Sequence, residues 1–268
     1  MIIDTGGYLG EFPFRKLNRT DPFSLSDYAS GFGITHMIVS SIEAVFFKDT
    51  KEGNDILSDT LIRYAKEMKK GMLRYLPYYV VNPAYPGWEK DLTYALKNEG
   101  FLGIDLFPKY HGYSFDSLCL KSFMDLARRK KVPVRICSGF ENIRQRCDLD
   151  AKCDPKESEL LDMAKNYPDV LFIFNGFYSY DFLWQLEKSA IKNAYYDFSR
   201  LDVFPGVSDD MLRVIDNIGV DNLCFSTLSP FQYIEPQFIK MSHKAISKSD
   251  RNKILSSNLL KILPGDMK

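Results

Sequence analysis

Seven residues of this 268-residue chain combine a reactive or ligand-binding side chain with a position at the end of a short apolar run: Tyr8, Asp105, Lys109, His111, Arg135, Cys137 and Asn175. His111, in Lys109-Tyr110-His111-Gly112-Tyr113, has an imidazole suited to general acid/base work or to ligand donation. It reads equally as a loop histidine that holds the turn before Gly112. Cys137 would be a nucleophile only as its thiolate. No histidine adjoins it in sequence, and a buried thiol acting as a small hydrophobe is the competing reading. Strand alternation puts Asp105 and Phe107 on one face of a run, and Arg135 and Cys137 on one face of the next. Asp105 and Arg135 can therefore meet, either as a salt bridge that fills an interior or with the planar fork of Arg135 turned to a ligand carboxylate or phosphate. His36 and His243 read as surface or packing residues, and Cys147 with Cys153 lacks the second pair that a zinc motif needs.

Those addresses come from the element pattern. Eight short β-branched or aromatic runs read as strands: Ile2–Asp4, His36–Ser40, Arg74–Val81, Gly103–Phe107, Val132–Cys137, Val170–Phe174, Asn193–Phe198 and Asn222–Thr227. Their spacing, typically about 25–40 residues, is that of βα units. Between them, Ser208 with Asp209 and Asp210 opens a helix with an apolar face that stops at Gly219. A second helix is expected over Ser114–Lys131, its four terminal cations forming a solvated end favoured by the dipole. A third is capped by Ser247 and Asp250 and stopped at Pro264-Gly265. With no linker or composition shift, the eight units predict a single (β/α)8 TIM barrel over residues 1–268, its active site at the C-terminal ends of the strands. Residues 4–24 and 147–155 are the expected loops over its mouth, and aromatics such as Tyr8, Phe12, Phe14, Tyr110 and Tyr178 either line an apolar pocket there or pack in the core.

Composition narrows the function classes. A chain with 45% hydrophobic and 26% charged residues is globular, and 35 basic residues balanced by 35 acidic ones remove the global field of a nucleic-acid or anionic-membrane binder. Five scattered cysteines point to a reducing compartment, and neither a leader nor a membrane-spanning run is visible, so a cytoplasmic protein is expected. Dinucleotide-binding, Walker and Gly-x-Ser-x-Gly signatures are missing. A small-molecule ligand, no nucleic-acid or membrane partner and a possible homo-oligomer are the resulting expectations.

The segments Ile3–Arg15, Val81–Trp88, Gly100–Asp116, Val132–Gly139 and Leu223–Phe231, followed by Ile254–Leu263, together resemble the amidohydrolase superfamily over nearly the whole chain. The branch is that of the amidohydrolase-related, aminocarboxymuconate semialdehyde decarboxylase-like barrels. The resemblance implies a hydrolase or carbon-carbon lyase with a divalent metal such as zinc. Its metal would be held by Asp-x-His-x-His on the first strand, histidines on the fifth and sixth, and an aspartate after the eighth. Here those positions are Gly6, Tyr8, Cys137, Asn175 and Leu228, a set that lacks the three donors a catalytic zinc requires. The expectation is a barrel without the family's metal ligands and without a cofactor. It would bind, or process without metal, a small anionic or aromatic molecule. An active family enzyme with an atypical metal site and a non-catalytic protein-interaction barrel are the alternatives.

Overall fold

The computed structural model describes residues 1–142, 144–150, 156–178, 191–201, 203–204 and 208–263. Cys153 and the Pro264-Gly265 stop lie outside the described residues, as do the Ser208 cap and the side chains of Asp209 and Asp210. Eight strands, β1 (Ile3–Leu9), β2 (His36–Ser41), β3 (Arg74–Val81), β4 (Gly103–Leu106), β5 (Val134–Cys137), β6 (Phe172–Asn175), β7 (Ala194–Asp197) and β8 (Leu223–Cys224), pair in parallel in chain order. The sheet closes on itself where Thr5 N donates to Phe225 O and Tyr8 N to Ser229 O, each at 2.9 Å. Between β7 and β8 lies a small antiparallel pair, Val203–Phe204 with Ser208–Asp209. The (β/α)8 barrel is as expected, with one difference in β1. That strand continues five residues beyond Asp4, through a bulge between Asp4 and Gly7, and so takes up the start of the expected loop. The glycine pair permits this because neighbouring side chains press against it: a Cβ on Gly6 would lie 2.1 Å from Ser226 Oγ, and one on Gly7 2.4 Å from Met37 Sδ.

Inward-facing residues stack in layers, as alternation along tilted strands requires. The lower layer is apolar, with Ile3, Ile38, Leu76, Tyr78, Ile173, Tyr195 and Cys224, and is closed from below by Leu259 and Leu263. The middle layer is polar and contains Thr5, Ser40, Asp105, Arg135, Asn175 and Asp197, all buried. The upper layer is aromatic. Outside the barrel a larger apolar shell joins the strands to the helices.

Helices α1 (Pro22–Gly31), α2 (Ile42–Phe46), α3 (Thr50–Glu67), α4 (Trp88–Asn98), α5 (Pro108–His111), α6 (Leu118–Lys130), α7 (Glu157–Asn166), α8 (Asp210–Ile218) and α9 (Glu235–Met241) follow the strands. The helix expected from Ser114 starts four residues later, because Ser114 and Ser117 turn the chain through Ser117 Oγ to Ser114 O at 2.7 Å. It ends as expected, with its cations in the last turn and Lys131 in the left-handed cap. The Ser247 cap also forms, accepting from Asp250 N at 3.1 Å.

One packing contact sets the mouth. Asn54 of α3 exchanges hydrogen bonds with the backbone of Val80 at 2.9 and 3.0 Å, fixing α3 to the end of β3. One residue earlier, Gly53 lets α3 touch α2, and a Cβ there would lie 2.2 Å from Ala44 N. Because α2 carries Phe46 into the upper layer, Gly53→Ala is expected to displace it. Despite alanine's helix advantage of about 1 kcal/mol, overpacking against backbone should lower stability by roughly 1–3 kcal/mol in urea unfolding.

Candidate functional site

The middle layer is organised by Arg135. Register places it opposite Asp105 on β4, and the two meet in a two-pronged ion pair, Nε to Oδ1 at 2.8 Å and Nη2 to Oδ2 at 2.5 Å. Nη2 also reaches Ser40 Oγ at 3.0 Å, Nη1 donates to the Thr5 carbonyl, and the guanidinium lies between the rings of Tyr8 and Tyr78. With its donors spent on the barrel wall and no solvent exposure, Arg135 takes the interior-filling form of the two readings.

Above it, Tyr8 occupies the barrel axis. Its hydroxyl donates to Asn175 Oδ1 at 2.7 Å and lies 3.7 Å from Cys137 Sγ, so residues from β1, β5 and β6 converge on one oxygen. Asn175 Nδ2 donates to Asp197 and, at 3.0 Å, to Ser226 Oγ. Asp197 also accepts from Gly176 N at 2.8 Å and from Ser199 N and Oγ at 3.0 and 2.7 Å. Burial, reinforced by Asp105, pushes the Cys137 thiol far up, leaving it protonated. Asp4 accepts from Gly6 N, Thr227 N and Thr227 Oγ1, yet burial lifts its carboxyl to about 6.

This centre does not fit a divalent metal. The space beside Gly6 is taken by Ser226 Oγ and Leu228, and Asn175 is engaged with Tyr8, Asp197 and Ser226. Among the described residues no group of three His, Cys, Asp or Glu side chains is placed to hold a metal ion. Leu228 adopts the left-handed backbone with φ of 54°, a strained state for a bulky residue, and turns its side chain toward Gly6.

Rings from separate loops roof this network. Phe140 stacks on Phe231 at 4.5 Å, and Phe107, Phe12 and Tyr8 meet the stack at 5.0 to 6.0 Å, with Phe46 and Tyr110 at the edge. Beside and above this roof opens a cleft of about 810 Å³, between the β1–α1 loop, the segment after β5, Arg200 after β7, and α9. Arg200 supports the roof by donating to the carbonyls of Gly139 and Phe140 at 2.5 and 2.7 Å.

Neither a protein-family model nor a curated protein matches the chain, but solved structures share its architecture. An amidohydrolase II structure superposes with a TM-score of 0.70 at 13% identity, over 98% of this chain and 99% of the other. The 5-carboxyvanillate decarboxylase of Sphingomonas paucimobilis gives 0.67 at 12%, over 98% of both chains. The dihydroxybenzoic acid decarboxylase of Polaromonas sp. JS666, solved with manganese and 2-nitroresorcinol, gives 0.64 at 14%, over 97% and 96%. The barrel has the amidohydrolase fold.

On this amidohydrolase fold the structure gathers Tyr8, Asp105, Arg135, Cys137 and Asn175 into one buried network and leaves Lys109 and His111 outside it. Lys109 is buried under the roof, its Nζ in the space where a Gly139 side chain would begin. His111 packs behind Phe107 and Tyr113, facing the backbone of Val45 and Val81, and burial lowers its pKa to about 4. Sequence reasoning did not find Phe140, Phe231, Arg200 or the cluster Arg15-Lys16-Leu17-Asn18-Arg19. For the last, three cations in five residues of a predicted mouth loop were a usable signal.

Removing one partner of the central pair strands a buried charge. Arg135→Met is expected to lose about 3–5 kcal/mol of stability, and adding Asp105→Leu to recover most of it, as read by urea midpoints. The buried acid and base should also oppose each other in pH dependence. Asp4, with its folded pKa raised to about 6, contributes stability at low pH that is lost as pH rises through that value. His111, lowered to about 4, contributes stability above its unfolded value that is lost as pH falls toward 4. Asp4→Asn keeps the Gly6 and Thr227 contacts through its amide and should gain up to roughly 3 kcal/mol over wild type between acid and neutral pH. His111→Gln should instead flatten the acid side of the profile. Urea unfolding of the three proteins across that range checks both signs.

Proposed function

We propose that this protein is a metal-independent barrel of the amidohydrolase fold that binds a small anionic or aromatic molecule in the cleft above its C-terminal face. The observation that carries the reading is the Tyr8 hydroxyl. It stands among Cys137 and Asn175, so that a closed hydrogen-bond network fills the space a metal and its ligands would need. In this reading Tyr8, Asp105, Arg135 and Asn175 are the rigid base beneath the ligand, while Lys109 and His111 brace the roof. Contact with the ligand falls to the cleft wall, where Arg200 and Lys240 are fixed by backbone carbonyls and Tyr178, Phe231 and Tyr233 are among the lining aromatics. The neighbouring decarboxylases act on carboxylated phenols, which makes an aromatic anion the first ligand to try.

The test combines metal content with binding. Untagged protein should hold less than about one tenth of an equivalent of zinc, manganese or iron. Calorimetry against benzoate and phenyl phosphate should show at least one of them binding once per chain, unchanged by EDTA. One equivalent of metal whose removal abolishes binding would overturn the reading, as would failure of both anions to bind.

A further inference from the structure

The cleft has a charge that the sequence-wide balance hides. Among the described residues five cations line it, Arg15, Lys16, Arg19, Arg200 and Lys240, against one lining carboxylate, Glu141, and the Glu235 carboxylate bonded to the lining Tyr28, in a chain whose formal charge is zero. Concentrating charge in a concave, low-dielectric wall focuses the field on whatever enters.

Three of these cations belong to one segment, Arg15-Lys16-Leu17-Asn18-Arg19, and the structure holds that segment firmly. Leu17 is buried in the aromatic upper layer and anchors it. Arg15 Nε donates to Glu141 at 2.5 Å, and that carboxylate is itself buried, so the Arg15 fork is oriented while its terminal amino groups make no hydrogen bond to the described residues. Arg19 has the left-handed backbone at φ of 63°, rare for a long side chain, and lays its guanidinium 3.8 Å over the ring of Tyr28. Tyr28 is fixed in turn, donating to Glu235 at 2.6 Å and accepting from Ile234 N at 3.2 Å. None of the Arg19 donors bonds to a described residue. On the facing wall Lys240 reaches the Phe198 and Ser199 carbonyls at 3.0 and 2.9 Å and Arg200 those of Gly139 and Phe140, so these two supply fixed positive potential, whereas the Arg15–Arg19 segment supplies open donors.

A single carboxylate uses one bidentate fork and leaves most of this charge unopposed. A phosphate monoester, near two negative charges at neutral pH and with three acceptor oxygens, can engage both arginine forks and Lys16 together. Tyr178, Phe231 and Tyr233 line the same cleft and give it aromatic surface for a planar group. Building on the cleft-binding reading above, we propose that the ligand is an organic phosphate monoester carrying a planar ring, gripped by Arg15, Lys16 and Arg19.

Calorimetry with three probes at low salt tests this: phenyl phosphate, inorganic phosphate and benzoate. Phenyl phosphate is expected to bind about tenfold more tightly than either of the others, and to weaken more steeply than benzoate as salt rises from about 50 to 200 mM. Arg19→Gln should weaken phenyl phosphate about five- to tenfold and benzoate less than twofold. Lys16→Gln, at an exposed residue with no hydrogen bond to the described chain, should act in the same direction without altering the unfolding midpoint. Equal or tighter binding of benzoate would overturn the proposal while leaving the cleft reading in place. Equal binding of inorganic phosphate would overturn it in favour of a free-phosphate site. Phenyl phosphate affinity unchanged in both variants would overturn it too, and no binding by any probe would remove both readings.

Discussion

A guanidinium sealed inside a barrel must find opposite charge and acceptors at once, and the pairing of Arg135 with Asp105 answers that demand. The remainder of the interior follows from it. Thr5 must present its carbonyl and Ser40 its hydroxyl to the remaining donors, which fixes the registers of β1 and β2 against β5 across the barrel. Tyr8 and Tyr78 cover the cation above and below.

With that base in place, the level above it becomes a question of what fills the axis. In a metal barrel an ion would draw together side chains from several strands. Here the Tyr8 hydroxyl performs the same gathering by hydrogen bonding, and Asn175 extends it to Asp197 and Ser226. A hydroxyl is a weaker hub than a cation, so the network has to be enclosed to persist. The stack of Phe140 on Phe231, held by Arg200 through the adjoining carbonyls, provides that enclosure. The upward shifts of the Cys137 thiol and of the Asp4 carboxyl both follow from this burial.

How much of this the sequence disclosed depended on range. The strands were legible because each is a compact β-branched or aromatic run between turn residues, and the meeting of Asp105 with Arg135 because alternation and strand order are local rules. The continuation of β1 was not, since Gly6-Gly7 carries the composition of a turn. Only Met37 of β2 and Ser226 beyond β8 show why glycine is needed in a strand there. The late start of α6 likewise turned on a serine bond that competes with the helix. The roof was beyond local reading for a stronger reason. Phe46, Phe107, Phe140 and Phe231 come from four separate connections, and nothing in any one of them announces the other three.

Enclosing the axis also bears on where the proposed ligand would be met. The donors of the centre are spent on its own network and an aromatic roof covers it, so the proposed anion would be met at the rim. Loop cations at a rim are ordinarily solvated and mobile, which makes them poor at selecting a ligand. In this chain they are not left so. Leu17 ties their segment into the very roof that closes the axis, Glu141 orients Arg15, and the Tyr28 ring orients Arg19. The roof that covers the centre is thereby also the anchor of the segment proposed to bind beside it: an altered roof would loosen Leu17 and, through it, the cations on either side.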